Sequence, residues 1–209
     1  HDCAFCTQAR SSRASAAALS RVLWPEYCAQ QVTRAIAEAH ARGDIARACF
    51  QVTVGRQHVQ RTQDAVAQLA SHSNVPICAS VLGHDADEVG MLLSAGAERV
   101  TMALDAACER IYRYTKSGSW ARSLALLEAC ARLYPSRLGT HLIVGLGETE
   151  LEMANCIQHV VDMGVHVALF AFTPMSGTAM ADWPPPTLGQ YRRMQVARWL
   201  IVQREQRAE

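Results

Sequence analysis

Apolar residues recur along this chain in two alternating patterns. In residues 25–41, Tyr27, Val32, Ala35, Ile36 and Ala39 fall mostly at helical spacing, and Gly43 follows as a stop signal. Residues 45–54 are rich in β-branched side chains and read as a strand ending at Gly55. A helix follows over 59–71, with Val66, Leu69 and Ala70 on one face, then a short apolar strand over 75–82 closed by Gly83. Residues 85–94 read as a helix with an aspartate at its start and Gly96 just past its end. The unit repeats: a strand over 99–104, helical sequence over 106–133 broken near Ser117-Gly118, and a strand over 138–144. A helix over 149–163, a strand over 165–172, a proline-rich loop over 173–186 and an amphipathic helix over 188–203 complete it. Residues 12–20 are small and polar, a loop or helix lead-in.

Five strands alternating with about six helices, each pair spanning roughly 25–40 residues, is the rhythm of βαβ units. The strands read as apolar runs rather than alternating ones, which predicts a parallel sheet covered on both faces. A closed barrel and an open doubly wound sheet both fit this pattern. One further strand before His1 would give six units and a partial (β/α) TIM-type barrel, and nothing marks a second domain within 1–209.

Composition narrows the class. A formal charge of +1 offers no basic surface for nucleic acid, and no apolar run approaches the roughly 20 residues of a membrane helix. Eight cysteines are scattered through apolar segments rather than concentrated in loops, which points to free thiols in a reducing, cytoplasmic compartment. Lys116 is the only lysine in an arginine-rich chain.

In a β/α barrel, the loops that follow the strands build the active face. That rule gathers Cys3 and Cys6 with Phe5, Asp105 after the third strand, Gly145-Leu146-Gly147-Glu148 after the fourth, and Thr173 to Thr178 after the fifth. By itself the pair Cys3/Cys6 is a redox dithiol, half of a zinc site, or two ligands of an iron–sulfur cluster.

The residues carry a resemblance as well. His-Asp-Cys-Ala-Phe-Cys-Thr-Gln-Ala-Arg-Ser-Ser (1–12) is similar to the cluster loop of radical S-adenosylmethionine enzymes, Cys-x-x-x-Cys-x-aromatic-Cys, and most so to the biotin synthase branch. His-Leu-Ile-Val-Gly-Leu-Gly-Glu-Thr (141–149) resembles the family's glycine-rich segment, Ala-Leu-Asp-Ala (103–106) its Asn-Leu-Asp-Thr, and Ser-Gly-Thr (176–178) its Lys-Gly-Thr. The resemblance covers essentially the whole chain and implies a core domain truncated at its N-terminus and at its C-terminus.

It implies a 4Fe–4S cluster held by Cys3, Cys6 and a cysteine two positions before His1, with S-adenosylmethionine on the open iron. Phe5 would lie near the adenine, and Asp105 would accept from the ribose hydroxyls. Ala103, Ile143, Gly145, Gly147 and Glu148 would line the cofactor. The implied partners are a flavodoxin- or ferredoxin-type electron donor and a small-molecule or carrier-bound substrate. Implied activities are hydrogen abstraction with sulfur insertion, as in biotin and lipoyl synthases, or without it, as in methylornithine synthase and hydrogenase maturases.

Two departures bear on sulfur insertion. Cys49 and Cys78 stand where biotin synthase has two cysteines of a second cluster, Gly139 stands at the third, and Ala103 replaces an asparagine.

Simpler roles stand beside these. Cys3 and Cys6 could hold zinc in a scaffold protein. Cys49 and Cys78 could be core residues of strands, and Cys28, Cys108, Cys130 and Cys156 packing residues of helices. Asp105 could cap the next helix, Glu148 could be a first-turn helix charge, and His141 a buried core histidine. Arg10, Ser11, Ser12, Thr173, Ser176 and Thr178 could be loop polars, and Tyr112 and Tyr114 surface aromatics.

Overall fold

The computed structural model describes residues 2–15, 17–19, 22–23 and 25–206. Its elements are β1 (Ala18–Leu19), β2 (Val22–Leu23), α1 (Ala29–Ala41), β3 (Ala48–Gln51), α2 (His58–His72), β4 (Ile77–Ser80) and α3 (Ala86–Ser94). There follow β5 (Arg99–Thr101), α4 (Glu109–Thr115), α5 (Trp120–Leu133), β6 (Leu138–Val144), α6 (Glu150–Asp162), β7 (His166–Ala171) and α7 (Leu188–Gln206). Strands β3 to β7 form one parallel sheet in chain order, curled into a half-barrel with the helices outside. This is the partial barrel expected from the βαβ rhythm, and an open doubly wound sheet is ruled out.

Each predicted strand and helix is present, and local chemistry sets the ends. Asp85 accepts from the Glu88 N–H to cap α3, and Ser119 accepts from the Arg122 N–H to restart the helical sequence as α5 after a break at 116–118. Thr149 and Glu152 close a capping box on α6, each side chain bonding the other's backbone N–H. Such a cap is worth about 1 kcal/mol.

Residues 12–20 differ from the lead-in expected of them. Ala18–Leu19 pairs antiparallel with Val22–Leu23 in a minimal hairpin, too short for any periodicity to register. Ala16 and Ser20 of that stretch, like His1, lie outside the described residues.

The core lies between sheet and helices, around Leu69, Ile77, Leu92, Leu127, Leu142 and Ile157. Each such side chain contributes roughly 1.5–3 kcal/mol by leaving water. Ala70, expected on the buried face of α2, is exposed, and Thr62 lies there instead. The expectation of strands covered on both faces holds for β4 and most of β6 but not for the edges. In β3 and β7, buried positions alternate with exposed or half-buried ones, because the helices cover only the convex face. The concave face carries Cys49, Cys78, Thr101, Gly139, His141 and Phe170. Among the described residues no helix is long and apolar enough to cross a membrane.

Candidate active site

The segments that carry the predicted site residues meet at one small apolar cluster at the C-terminal end of the sheet, which Phe5 and Ile143 themselves join. Ala106, Ile111, Tyr112, Leu146, Phe172 and Met180 form it, and Ala4, Phe5, Ile143 and Trp183 pack against it. Those side chains come from the cysteine segment, the Asp105 region, the glycine-rich turn and the proline-rich loop, so the rule of strand-following loops gathers all four.

The cysteine segment is held by its backbone. The Cys6 N–H donates to the Cys3 carbonyl (3.0 Å), which folds the two cysteines into one turn. The Ala4 N–H reaches Thr115 O on α4 (2.8 Å), and Ala4 O accepts from the Met180 N–H. Asp2 closes the loop by accepting from the Ser11 N–H and hydroxyl at 2.8 and 2.7 Å. Gly177 lies against the same segment: its carbonyl accepts from the Arg13 N–H, and a Cβ there would sit 2.6 Å from the Ala14 nitrogen. With φ at +84°, only glycine fits that approach.

Cys3 is buried, and burial pushes its thiol up to about 11 while Lys116 pulls the other way. Burial likewise raises Cys6. The two cysteines share one turn, and the Lys116 ammonium acts on Cys3. Among the described residues, no group of three His, Cys, Asp or Glu side chains could hold a metal ion.

Asp105 is not the helix cap it could have been, since Cys108 occupies the N-cap position of α4. With φ at +62°, Asp105 is wedged beside β6, its N–H on His141 O and its carbonyl accepting from the Ile143 N–H, both at 2.8 Å. Its Oδ2 accepts from Lys116 Nζ at 2.7 Å, and Nζ also donates to Ala103 O at 2.7 Å. Burial works against the Lys116 charge, yet Asp105 and then Cys3 more than offset it and hold the ammonium above its ordinary range.

The glycine-rich turn is braced from within. Both Gly145 and Gly147 have φ near +100°, and Leu146 between them is fully buried. Glu148 is buried, and its carboxylate accepts from the Gly145 and Leu146 N–H groups at 2.7 and 2.9 Å. Burial raises its pKa, and those bonds act against the rise. Glu148 is therefore the turn's internal clasp, while the first-turn charges of α6 are Glu150 and Glu152. The close approach expected over Gly145 is taken by Pro186, whose Cδ would lie 2.7 Å from a Cβ.

Other expectations resolve individually. His141 is half-buried, edge-on to Phe170 at 5.0 Å, with burial lowering its pKa. Thr178 bonds its own loop at Met175 O, and Ser12 donates to Gly177 O, while Arg10, Ser11 and Ser176 are exposed. Cys130 and Cys156 are packing residues as expected; Cys28 is exposed at the start of α1 and Cys108 half-buried at the start of α4. Cys78 is buried as a core reading requires, but Cys49 is exposed. Tyr114 is exposed against Trp183, whereas Tyr112 is buried, its hydroxyl 2.7 Å from Ser123 Oγ and its ring edge-on to Trp120.

The residues that sequence reasoning passed over are Lys116, Tyr112, Met180 and Trp183, all brought in by tertiary contact. The one signal available was the singularity of Lys116 among the basic residues.

Against known proteins, no curated sequence matches this chain. Solved structures do. Over 96% of this chain and 47% of that one, it superposes on HydG, a maturase of the FeFe-hydrogenase, with TM-score 0.73 and 11% identity. Methylornithine synthase (PylB) gives TM-score 0.69 at 14% identity over 94% of this chain and 59% of that one. Coproporphyrinogen III oxidase (HemN) from Escherichia coli, described as a radical SAM enzyme, gives TM-score 0.53 at 16% identity over 100% and 49%. The chain thus spans about half the length of these structures, and at such identities they speak for the fold. A family model speaks for the sequence: that of the Radical SAM superfamily matches residues 1–160, and the chain belongs to that superfamily.

Proposed function

We propose that this chain is the cofactor-binding half-barrel of an enzyme that cleaves S-adenosylmethionine reductively. The 5′-deoxyadenosyl radical so released takes hydrogen from a small-molecule or carrier-bound substrate. The supporting observation is the convergence of the Cys3–Cys6 turn, Asp105 and the Gly145–Gly147 backbone on one buried cluster at one end of the sheet.

Cys3 and Cys6 would hold a 4Fe–4S cluster, which would supply the electron for breaking the sulfonium bond and would be recharged by a flavodoxin- or ferredoxin-type donor. The chain's residues bind and orient. Phe5, packed on the apolar cluster, offers a face for the adenine. Lys116 fixes one oxygen of Asp105 and so aims the other at the ribose hydroxyls. Glu148 engages the Gly145 and Leu146 N–H groups, so the glycine turn keeps its shape whether or not cofactor is present. Ala103 and Ile143 add wall rather than chemistry, and the buried Leu146, Phe172 and Met180 close the cluster to solvent.

Our reading favours hydrogen abstraction without sulfur insertion. A three-cysteine second cluster needs a side chain at 139, where a Cβ would lie 2.8 Å from Thr101 Oγ1 and 3.4 Å from His166 O. The alternative is zinc held by Cys3 and Cys6 in a scaffold protein, which would be colourless where an iron–sulfur cluster is brown.

The test uses the full-length protein, reconstituted anaerobically with iron and sulfide, then given dithionite and S-adenosylmethionine. The expected result is a brown protein that forms 5′-deoxyadenosine, with the product lost in Cys3→Ala and Cys6→Ala. A colourless protein that forms none would overturn the proposal.

A further inference from the structure

Outside the loop cluster, the concave face of the half-barrel brings two thiols together. Cys49 on β3 and Cys78 on β4 are direct partners in the parallel register, with Gln51 and Ser80 paired two positions on. Neighbouring strands lie about 4.8 Å apart, inside the Cα separation that a disulfide spans. The two side chains lie side by side on the same face of the sheet, and each has a polar neighbour: Thr101 Oγ1 lies 3.3 Å from Cys78 Sγ, and the Gln51 amide donates to Cys49 Sγ at 3.1 Å. Their exposures differ: Cys78 is buried among strands, while Cys49 is open to solvent.

We infer that Cys49 and Cys78 are a redox-active dithiol, which closes to a cross-strand disulfide by exchange with a low-molecular-weight disulfide. The site does not resemble a metal cluster, because no third ligand joins the two sulfurs among the described residues. Nor is it a pair of packing residues, because one member faces solvent and both are hydrogen-bonded.

Electrostatics suit exchange. The Cys49 thiol, Thr101 and the guanidinium groups of Arg99 and Arg47 stabilise the Cys78 thiolate and bring its pKa down to about 6, although burial opposes them. The neighbouring Cys78 and burial push the Cys49 thiol the other way, so the proton rests more readily on Cys49.

The exposed sulfur meets the reagent. As its proton passes to the neighbouring Cys78 sulfur, Cys49 attacks one sulfur of RSSR; the S–S bond breaks, and RS⁻ departs and takes up that proton. The Cys78 thiolate then attacks Cys49 in the mixed disulfide and expels a second RS⁻, which is protonated by water. Two protein thiols are oxidised to one disulfide, and one RSSR is reduced to two RSH. The inference stands on the geometry of β3 and β4 and is independent of the cofactor reading.

The test uses the full chain, reduced, freed of reductant and incubated with oxidised glutathione at neutral pH. It is then alkylated with iodoacetamide, digested and mapped by mass spectrometry. The expected result is a linked pair of peptides carrying Cys49 and Cys78, loss of those two thiols from the alkylated set, and recovery of both with dithiothreitol. Cys78→Ser is expected to halt at a stable glutathione adduct on Cys49. If Cys49 and Cys78 in the wild-type chain are alkylated separately, or bridge to other cysteines instead, the inference fails. Because the wild-type map decides the matter, the outcome does not depend on how a variant folds.

Discussion

Replacing Lys116 by methionine removes one partner of a buried ion pair at the site. The Lys116 and Asp105 side chains are 8% and 13% exposed, with Nζ and Oδ2 2.7 Å apart. At an effective dielectric near 20, unit charges at that distance attract by about 6 kcal/mol, much of which offsets their desolvation. Methionine fills a similar volume but strands the carboxylate and leaves Ala103 O without its ammonium donor. Stranding one member of a buried pair costs roughly 3–5 kcal/mol. With a urea slope of about 3 kcal/mol/M, the unfolding midpoint is expected to fall by about 1 M.

The sign of the pH dependence sets the condition for the measurement. In the wild type, Lys116 is held above its ordinary value, so its contribution is fully present below pH 10.5 and is lost only as pH rises through the higher folded value. The loss in the variant is therefore read at neutral pH, where the wild-type ammonium is charged. Removing both charges, as Lys116→Met with Asp105→Asn, is expected to restore stability to within about 1 kcal/mol of wild type. Urea titrations followed by circular dichroism at pH 7 measure all three proteins. A single-variant loss under about 1 kcal/mol at pH 7 would refute the reasoning.

Three further outcomes are expected. Gly145→Ala places a Cβ 2.7 Å from Pro186 Cδ at φ +100°, so it should cost about 2 kcal/mol in urea titration. Thr149→Ala removes half of the α6 capping box and should cost about 1 kcal/mol by the same measure, with Thr149→Ser retaining most of it. In the protein without metal, iodoacetamide at pH 8 should label the exposed Cys28 well before the buried Cys3, whose thiol is pushed up to about 11; mass-spectrometric time courses read the order.

What the sequence disclosed divides by the range of the interactions. The parallel strands were legible because runs such as Val100 to Leu104 and Leu138 to Val144 carry their burial in their own composition, and glycines such as Gly43 and Gly164 mark where helices stop. Cys3, Asp105 and Gly145 could be assigned to one face by topology alone. The ion pair of Lys116 with Asp105 could not, because it depends on how α4 returns to the end of β5. Tyr112 was misplaced for a related reason: its burial comes from Trp120 and Ser123 on the following helix. Glu148 showed its acidity but not its target, since its bonds to Gly145 and Leu146 exist only once the turn has formed.

That sheet order follows chain order has a kinetic meaning. Paired residues on adjacent parallel strands lie between 21 and 38 positions apart, as with Cys78 beside Arg99 and Val100 beside Leu138. No strand waits for a distant part of the chain to find its neighbour, and closing each loop costs nearly the same entropy as closing the last. The half-barrel can therefore assemble by accretion, each strand–helix unit templating the next. The residues around the cluster, drawn from loops at both ends of that series, become a site only when the final unit docks.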